Sequence, residues 1–280
     1  MHPNVGRPTR RYFLYTIGAA AVSMPNCGRA QEPEARNGTP TPCALNRRSS
    51  VCAPILMKPV PEIGATGGKA EVFVCDVADR AASLATAQQI QERFGHVDLL
   101  MNNAGYGHHR RFLDWDLDDM ERMMRVNYLG ALYWTKALLP QMVQRRRGWV
   151  VFVASVGGKL GVPEETAYAA SKFAMVGLAE ALSYEVEDDG VHVMTVCPGT
   201  IRTEFFDAEA LARMPPVSRK MMADVEPMVE AILAGLAKGK FEVTFPRFVE
   251  AGYVVRALAP GLMRRNTRKQ TLEALAKEGR

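Results

Sequence analysis

The chain has 280 residues, a net charge of +5, 48% hydrophobic residues and five cysteines. This length fits one large α/β domain or two small ones, and the composition is that of a globular protein, not a disordered or fibrous one. No uncharged apolar run is long enough to suggest a multi-span membrane protein, and the cysteines form no CxxC pair of the kind found in zinc modules.

The first 61 residues differ from the rest in charge and composition. They hold eight basic and two acidic residues, a balance of +6, whereas the remainder holds 27 basic and 28 acidic residues, a balance of −1. They also hold nine of the seventeen prolines, which disfavour helix interiors and sheet ladders. We therefore predict that residues 1–61 form an atypical, basic, disordered leader. Because the basic charge belongs to this leader, it does not indicate nucleic-acid binding by the rest of the chain.

From residue 69 onward, short apolar runs alternate with segments of helical spacing. The predicted elements in chain order are strand 70–75, helix 80–94 ended by Gly95, strand 97–101, helix 117–144 with a break near Gly130, strand 149–154, helix 167–186, strand 191–196, helix 228–238 and strand 241–245. This alternation predicts a parallel sheet covered by helices on both faces, with ligands bound beyond the carboxyl ends of the strands.

Residues with chemical potential follow three of these strands. Asn-Asn-Ala-Gly at 102–105 follows the second strand, Ser155 follows the third, and Pro198 with Gly199 follows the fourth. Tyr168 and Lys172 share one face of the next helix because they are four residues apart. The ammonium is expected to lower the phenol pKa from its ordinary value near 10, which would make Tyr168 a general acid or base for a carbonyl or alcohol oxygen.

In this combination, residues from about 62 to 245 resemble a short-chain dehydrogenase/reductase. The matching segments are 76–77, 102–105, 126–127, Ser155, 168–172 and 198–199. The resemblance implies a Rossmann-like, doubly wound parallel sheet over 62–250, followed by an amphipathic basic tail over 251–280. It also implies an NAD(P)-dependent oxidoreductase that interconverts a secondary alcohol and a ketone, acts on a small molecule, and forms a homodimer or homotetramer.

The same resemblance implies roles for individual residues. Ser155 orients the reacting oxygen, Lys172 tunes Tyr168 and binds the nicotinamide ribose, and Asn127 supports a proton-relay water. The catalytic set is therefore Asn127, Ser155, Tyr168 and Lys172, and the cofactor-binding set is Asp76, Asn103, Ala104, Gly105, Tyr168, Lys172, Pro198, Gly199 and Thr203. Purely structural roles remain open for Asn127 as a helix-kink residue and for Asp76 as a turn cap.

Two further expectations concern metal binding and the choice of cofactor. No metal site is expected, because His108 and His109 have no carboxylate or cysteine at ligand spacing and are interpreted as a loop pair. NAD and NADP both remain open as cofactors, because the strand that reads the ribose 2′ position cannot be recognised.

One family motif is missing from the sequence. The glycine-rich turn that brings backbone amides to the pyrophosphate is expected near Gly28, where the sequence has a single glycine. The first βαβ unit is therefore expected to be degenerate or absent, which would leave strand 97–101 as an unpaired edge. A second functional hypothesis follows, namely a non-catalytic or cofactor-deficient member of the family.

The origin of the leader and the location of the protein stay open at this point. A reading-frame error or mis-set start is one explanation, and an export signal is another, since Arg10 and Arg11 precede an apolar stretch as in a twin-arginine signal. Scattered, unpaired cysteines favour the cytoplasm. The tail at 251–280 could contact a partner subunit or, more weakly, a membrane surface, or it could cap the fold.

Overall fold

The computed structural model of the chain describes residues 13–16, 71–203, 205, 206, 211, 214 and 216–277. The strand at 13–16 and the described residues from Cys75 onward belong to one compact unit. Residues 71–74 belong to a second unit and have no regular secondary structure. Apart from the strand at 13–16, the predicted leader lies outside the described residues.

Strands and helices alternate along the chain as the sequence predicts. The elements are β1 (Phe13–Thr16), α1 (Arg80–Phe94), β2 (Leu99–Asn102), α2 (Leu117–Met124), a π-helical turn (Arg125–Leu129), α3 (Gly130–Gln144), β3 (Gly148–Val153), α4 (Thr166–Val186), β4 (Val191–Pro198), α5 (Pro216–Lys220), α6 (Val225–Ala237), β5 (Glu242–Phe245), α7 (Glu250–Leu258) and α8 (Pro260–Lys277).

The five strands form one parallel sheet in the order β1-β2-β3-β4-β5. This arrangement confirms the predicted α/β fold, because parallel neighbours need crossover connections and the helices supply them. The predicted unpaired edge at β2 is wrong. Phe13–Thr16 of the basic leader pairs in parallel with Leu99–Asn102, and Phe13 lies opposite Leu99.

The two faces of the sheet pack against different helices. On one face, Val151, Met194, Val196 and Val243 pack with Ile232 of α6. Residues at the alternate positions of each strand point to the opposite face of the sheet. On that face the Asn102 side chain donates to the Thr135 hydroxyl of α3 at 3.0 Å, and α1 packs against α3. Helices on both faces bury the sheet, as its apolar strands predict.

Most predicted boundaries are confirmed to within a few residues. Asp79 caps α1 by accepting from the Ala82 amide at 3.0 Å, and Gly95 ends the helix at φ 80°. The predicted break near Gly130 is found as the π-helical turn at 125–129, just before that glycine. The predicted strand at 70–75 is wrong over its described part. Residues 71–75 pair with no described strand, and Val74 is 72% exposed.

The C-terminal tail consists of the two helices α7 and α8, which pack against each other. α7 also contacts the loop that follows β3: a Cβ on Gly252 would lie 3.3 Å from Leu160. Throughout the described part of the chain, no helix combines the length and the apolar character required to cross a bilayer.

Candidate active site

Ser155 and Tyr168 meet at the carboxyl end of β3. Ser155 comes two residues after the end of β3 and caps the 3-10 turn Val156–Gly158, and its hydroxyl accepts from the Gly157 amide at 2.9 Å. Tyr168 lies in the first turn of α4, and Gly157 lies beside both side chains: a Cβ at that position would be 3.1 Å from Cε1 of Tyr168 and 3.4 Å from the Ser155 hydroxyl oxygen. The structure therefore brings together the two hydroxyl groups that the sequence places thirteen residues apart.

Burial determines the ionisation of the phenol. It raises the pKa of Tyr168 above its ordinary value, whereas the nearby Ser155 side chain lowers it and the charges of Glu165 and Cys197 raise it further. The expectation that Lys172 lowers this pKa is wrong. The Lys172 ammonium lies 5.8 Å from the centroid of the Tyr168 ring and donates to the Val153 carbonyl at 2.9 Å.

Lys172 is itself a perturbed group. Its side chain is buried beneath the active-site loops, and the residue is 3% exposed. Removal from water disfavours the charged form and lowers the pKa of Lys172 to about 8. An ammonium has three N–H donors, and Val153 takes one of them.

Asn127 lies in the π-helical turn and is fully buried. Its amide nitrogen donates to the Tyr106 carbonyl at 2.9 Å and to the Ser171 hydroxyl at 3.0 Å, while its oxygen accepts from the Tyr106 amide at 3.0 Å. The Ser171 hydroxyl in turn donates to the Tyr168 carbonyl at 2.7 Å. Asn127 therefore links the loop after β2 to the first turn of α4, which contains Tyr168. A helix irregularity and a site role coincide here, as is common for π-helical turns.

Two loops flank Tyr168. We call residues 103–111 the Tyr106 loop and residues 155–161 the Ser155 loop. A Cβ on Gly107 would lie 2.8 Å from Cδ2 of Tyr168, and a Cβ on Gly157 would lie 3.1 Å from Cε1. Glycine thus allows the backbone of each loop to approach one edge of the ring. Sequence reasoning missed both positions, although each glycine lies within two residues of a recognised motif residue.

The predicted cofactor residues fall into two groups. Ala104 is buried, and a Cβ on Gly105 would lie 3.2 Å from both the Lys172 ammonium and the Asn127 side-chain oxygen. Asn103 connects this pair to β2. The predicted turn after β4 also lies close, since a Cβ on Gly199 would be 4.0 Å from a methyl group of Val156.

The second group of predicted cofactor residues consists of Pro198, Asp76 and Thr203. Pro198 ends β4, where the next residue's amide donates to the Phe245 carbonyl at 2.7 Å. Asp76 accepts from the Ala78 amide at 3.0 Å, as a turn cap does, and from Arg122 at 3.1 Å. Thr203 is exposed, and its hydroxyl accepts a hydrogen bond from the Phe205 amide.

The donor set near Lys172 fits a nicotinamide ribose. Gly105 lets the backbone come close to the ammonium, and the ammonium has N–H groups beyond the one that Val153 takes. Vicinal hydroxyls are suitable acceptors for such donors. Lys172, Tyr168 and Gly105 are therefore the residues that could hold this part of a dinucleotide.

A second ionisable pair lies beside Tyr168 and was not predicted. Glu165 immediately precedes α4, three residues before Tyr168, and its Oε1 lies 3.4 Å from Nδ1 of His109 in the Tyr106 loop. Burial raises the pKa of the Glu165 carboxyl to about 7. Sequence reasoning treated His109 as a loop residue, because only the fold brings it to a carboxylate 56 positions later in the chain (165 − 109).

Comparison with known proteins identifies relatives of this chain. The chain is 38% identical over 195 residues to the dehydrogenase/reductase SDR family member 7B of Bos taurus, which covers 67% of this chain and 59% of that protein. It spans about three fifths of the length of the curated relatives it matches.

Two solved structures are similar as well. A metagenomic short-chain oxidoreductase in complex with NADP is 31% identical, with a TM-score of 0.50, 52% of this chain covered and 66% of the other. A short-chain dehydrogenase from Streptomyces avermitilis is 27% identical, with a TM-score of 0.61, 78% of this chain covered and 84% of the other. The short chain dehydrogenase family model matches residues 52–213, more than half of the sequence, and the chain belongs to this family of oxidoreductases.

Proposed function

We propose that this chain is an NAD(P)-dependent oxidoreductase that interconverts a ketone and a secondary alcohol. The observation that carries the proposal is the proximity of Ser155 and Tyr168 around Gly157, with buried Lys172 one helical turn beyond Tyr168. The similarity to an oxidoreductase whose structure contains NADP supports a nicotinamide cofactor.

The protonation state of Tyr168 favours the direction of ketone reduction. Because burial raises its pKa, the phenol is protonated at neutral pH and can donate to an oxygen that gains negative charge. Ser155 hydrogen-bonds the same oxygen and fixes its position. A bound nicotinamide cofactor would supply the hydride for this reduction.

Lys172 and Asn127 support this chemistry from the other side of the ring. With a pKa of about 8, Lys172 is mostly protonated at neutral pH and can donate to ribose hydroxyls. Asn127 fixes the Tyr106 loop at both the amide and the carbonyl of Tyr106. The two residues thus hold the cofactor side of the site while Ser155 and Tyr168 act on the substrate.

An apolar substrate suits the aromatic side chains beside Tyr168. The ring centroid of Phe205 lies 5.9 Å from that of Tyr168, and Phe206 packs edge-on against Phe205 at 5.0 Å. These rings offer apolar contacts next to the reacting oxygen. We therefore propose an apolar ketone or secondary alcohol as the substrate.

We extend the proposal to assembly and location. A homodimer or homotetramer is supported by the exposure of Phe112, Leu113 and Leu117, which are 60%, 85% and 73% exposed within six residues. A cytoplasmic location is supported by the thiols of Cys75 and Cys197, both of which are free. Sedimentation of the purified chain and fractionation of cells that express it test these two points.

The central experiment compares the chain with its Tyr168→Phe variant. Oxidation of NADH and NADPH is followed by nicotinamide absorbance with a panel of apolar ketones, and cofactor binding is measured by calorimetry. We expect turnover in the unmodified chain, loss of turnover in the variant and unchanged cofactor binding, because only the proton donor is removed. A variant that keeps more than about a tenth of the rate would exclude Tyr168 as the donor.

Cofactor affinity is the second readout. The missing glycine-rich turn predicts weak binding, since two lost charge-assisted hydrogen bonds at roughly 1.5–3 kcal/mol each would reduce affinity by about a hundredfold or more. A folded chain that binds neither NAD nor NADP at millimolar concentration would refute the proposal in favour of a cofactor-deficient family member.

A further inference from the structure

The Tyr106 loop is attached to the rest of the site at two points. At its start, Asn127 binds both the amide and the carbonyl of Tyr106. At its end, the Arg110 amide donates to the Glu164 carbonyl at 2.8 Å, and His109 lies 3.4 Å from the Glu165 carboxylate. Gly107, whose Cβ would lie 2.8 Å from the Tyr168 ring, lies between these two attachments.

The second attachment is built on an unusual backbone. Glu164 has a φ of 66°, a left-handed conformation that non-glycine residues rarely adopt, and it is only 9% exposed. Such a conformation is strained and persists only where the surroundings hold it. At this position the Glu164 carbonyl binds Arg110 and the next side chain reaches His109. The strained residue therefore coincides with the contact between the loop and α4.

The Glu165 side chain is well removed from solvent. It is 20% exposed and His109 is 12% exposed, in contrast to the surface ion pair of Arg125 and Glu121, whose side chains are 57% and 63% exposed. Loss of hydration raises the pKa of Glu165, and its charge acts on Tyr168. A partly buried pair is less screened by salt and water than a surface pair and can fix a loop more firmly.

We propose that Glu165 is a positioning residue, which acts with His109 to hold the Tyr106 loop against one edge of the Tyr168 ring. Gly107 is the point of contact, because its Cα carries no side chain to keep the loop away from Cδ2 of Tyr168. Release of the loop would leave the phenol free to move away from the reacting oxygen. The catalytic part of this inference rests on the proposed function, whereas the attachment of the loop does not.

The kinetic experiment uses Glu165→Ala, Glu165→Gln, His109→Ala and the double alanine variant. We expect kcat to fall about tenfold or more in both alanine variants, with the cofactor KM changed less than twofold, because the loop positions the ring. The double variant should lose no more than either single variant, since both remove one contact. Glu165→Gln should recover most of kcat, because an amide oxygen can still accept from imidazole.

A matched control removes the charge of an ordinary surface carboxylate. Glu250 lies 4.0 Å from Arg247 at the start of α7, and Glu250→Gln should leave kcat unchanged. Additive losses in the double variant, or alanine variants that keep full kcat, would overturn the proposal. If Glu165→Ala does not fold, Glu165→Gln and His109→Ala still test it.

A second experiment does not depend on turnover. The Tyr106 loop ends with Arg110 and Arg111, so trypsin cleavage there reports release of the loop. Mass spectrometry should show cleavage at these arginines at least about fivefold faster in Glu165→Ala than in the unmodified chain, with Glu250→Gln unchanged. Equal rates would overturn the proposal. Faster cleavage in a chain that reduces no ketone would leave the loop contact standing and refute only the proposed function.

Discussion

The two loops that flank Tyr168 approach the ring in the same way but are held in different ways. Each contains a glycine whose missing Cβ lets the backbone come close to one edge of the phenol. The Ser155 loop continues into backbone contact with α4, where a Cβ on Gly158 would lie 2.7 Å from the Lys172 carbonyl oxygen. The Tyr106 loop has one backbone hydrogen bond next to α4, from the Arg110 amide to the Glu164 carbonyl, and is otherwise held by side chains, through Asn127 and Glu165.

This difference predicts which loop contributes mainly to stability and which mainly to catalysis. A loop that touches a helix backbone cannot be displaced without moving the helix, so the Ser155 loop is part of the packed structure. A loop held by side chains can shift while the sheet and helices stay in place, so changes in the Tyr106 loop should alter catalysis before they alter stability. Substitutions in the two loops therefore test the comparison directly.

The largest effect is expected for Gly158→Ala. The added methyl group would meet the Lys172 carbonyl oxygen at 2.7 Å, and because that atom belongs to the backbone of α4, no rotamer change relieves the clash. We expect a loss of about 3 kcal/mol or more in the free energy of unfolding, measured by urea denaturation. Gly161→Ala is the matched control, because nothing lies within 4 Å of its Cβ position. Equal stability of the two variants would contradict a backbone-fixed Ser155 loop.

Gly107→Ala should affect activity more than stability. Its Cβ would lie 2.8 Å from Cδ2 of Tyr168, so either the ring or the loop must move. We expect kcat for ketone reduction to fall about tenfold to a hundredfold, as displacements of this size do in positioned sites. The unfolding free energy should fall by less than in Gly158→Ala. Full kcat at unchanged stability would show that the ring tolerates displacement and that the loop does not position it.

The sequence predicted the sheet well because buried parallel strands and their helices carry strong apolar patterns. Capping by Gly95 and the position of Ser155 after β3 follow from local chemistry alone. The strand at 70–75 was wrong because an apolar β-branched run does not by itself supply a ladder partner. β1 was missed for the opposite reason: four residues in a proline-rich, basic segment gain their strand conformation from pairing with β2.

The site was predicted where residue spacing determines geometry and missed where only the fold does. Tyr168 and Lys172 share a helix face, so their proximity follows from the sequence. His109 and Glu165 come from a loop and a helix start far apart in the chain, and no local pattern indicates their contact. The pKa of Tyr168 was misjudged for a similar reason, since desolvation depends on the whole packed site and raises this pKa, while Lys172 is not among the groups that lower it.

Lys172 lies in α4 next to both loops, since Gly105 approaches its ammonium and Gly158 its carbonyl oxygen. It therefore gives a pH test of how deeply the loops bury it. Its pKa is lowered from 10.5 to about 8 in the folded chain, so the unfolded chain binds more protons between these pH values. The destabilising burial of the ammonium is fully present below pH 8 and is relieved as the pH rises toward 10.5. We expect the stability advantage of Lys172→Met over the unmodified chain to shrink by about 2 kcal/mol between pH 8 and pH 10.

Urea denaturation of both chains at pH 8, 9 and 10 gives this difference and cancels the titration of groups that the two chains share. The thiol of Cys197 interacts with Lys172 and does not cancel, but burial raises its pKa to about 12, above the pH range of the experiment. A difference that stays constant with pH would mean that Lys172 keeps its ordinary pKa and that the loops leave it hydrated.

The smallest effect is expected where α7 holds the outer end of the Ser155 loop. Arg256 donates to the Lys159 carbonyl and lies over the Phe173 ring of α4 at 5.1 Å, while Lys159 forms an ion pair with Glu242. Arg256 is exposed, so its hydrogen bond and stacking should contribute only about 1 kcal/mol.

We therefore expect Arg256→Met to lower the free energy of unfolding by about 1 kcal/mol and to leave kcat within about twofold, because Gly157 and Gly158 still fix the inner part of the Ser155 loop against α4. Arg265→Met, at an exposed position of α8, is the matched control and should change neither quantity. The comparison between the loops would fail if Arg256→Met reduced kcat as strongly as Gly107→Ala. The Ser155 loop would then depend on a surface side chain for its position, just as the Tyr106 loop depends on Glu165, and backbone contact with α4 would not be what distinguishes the two.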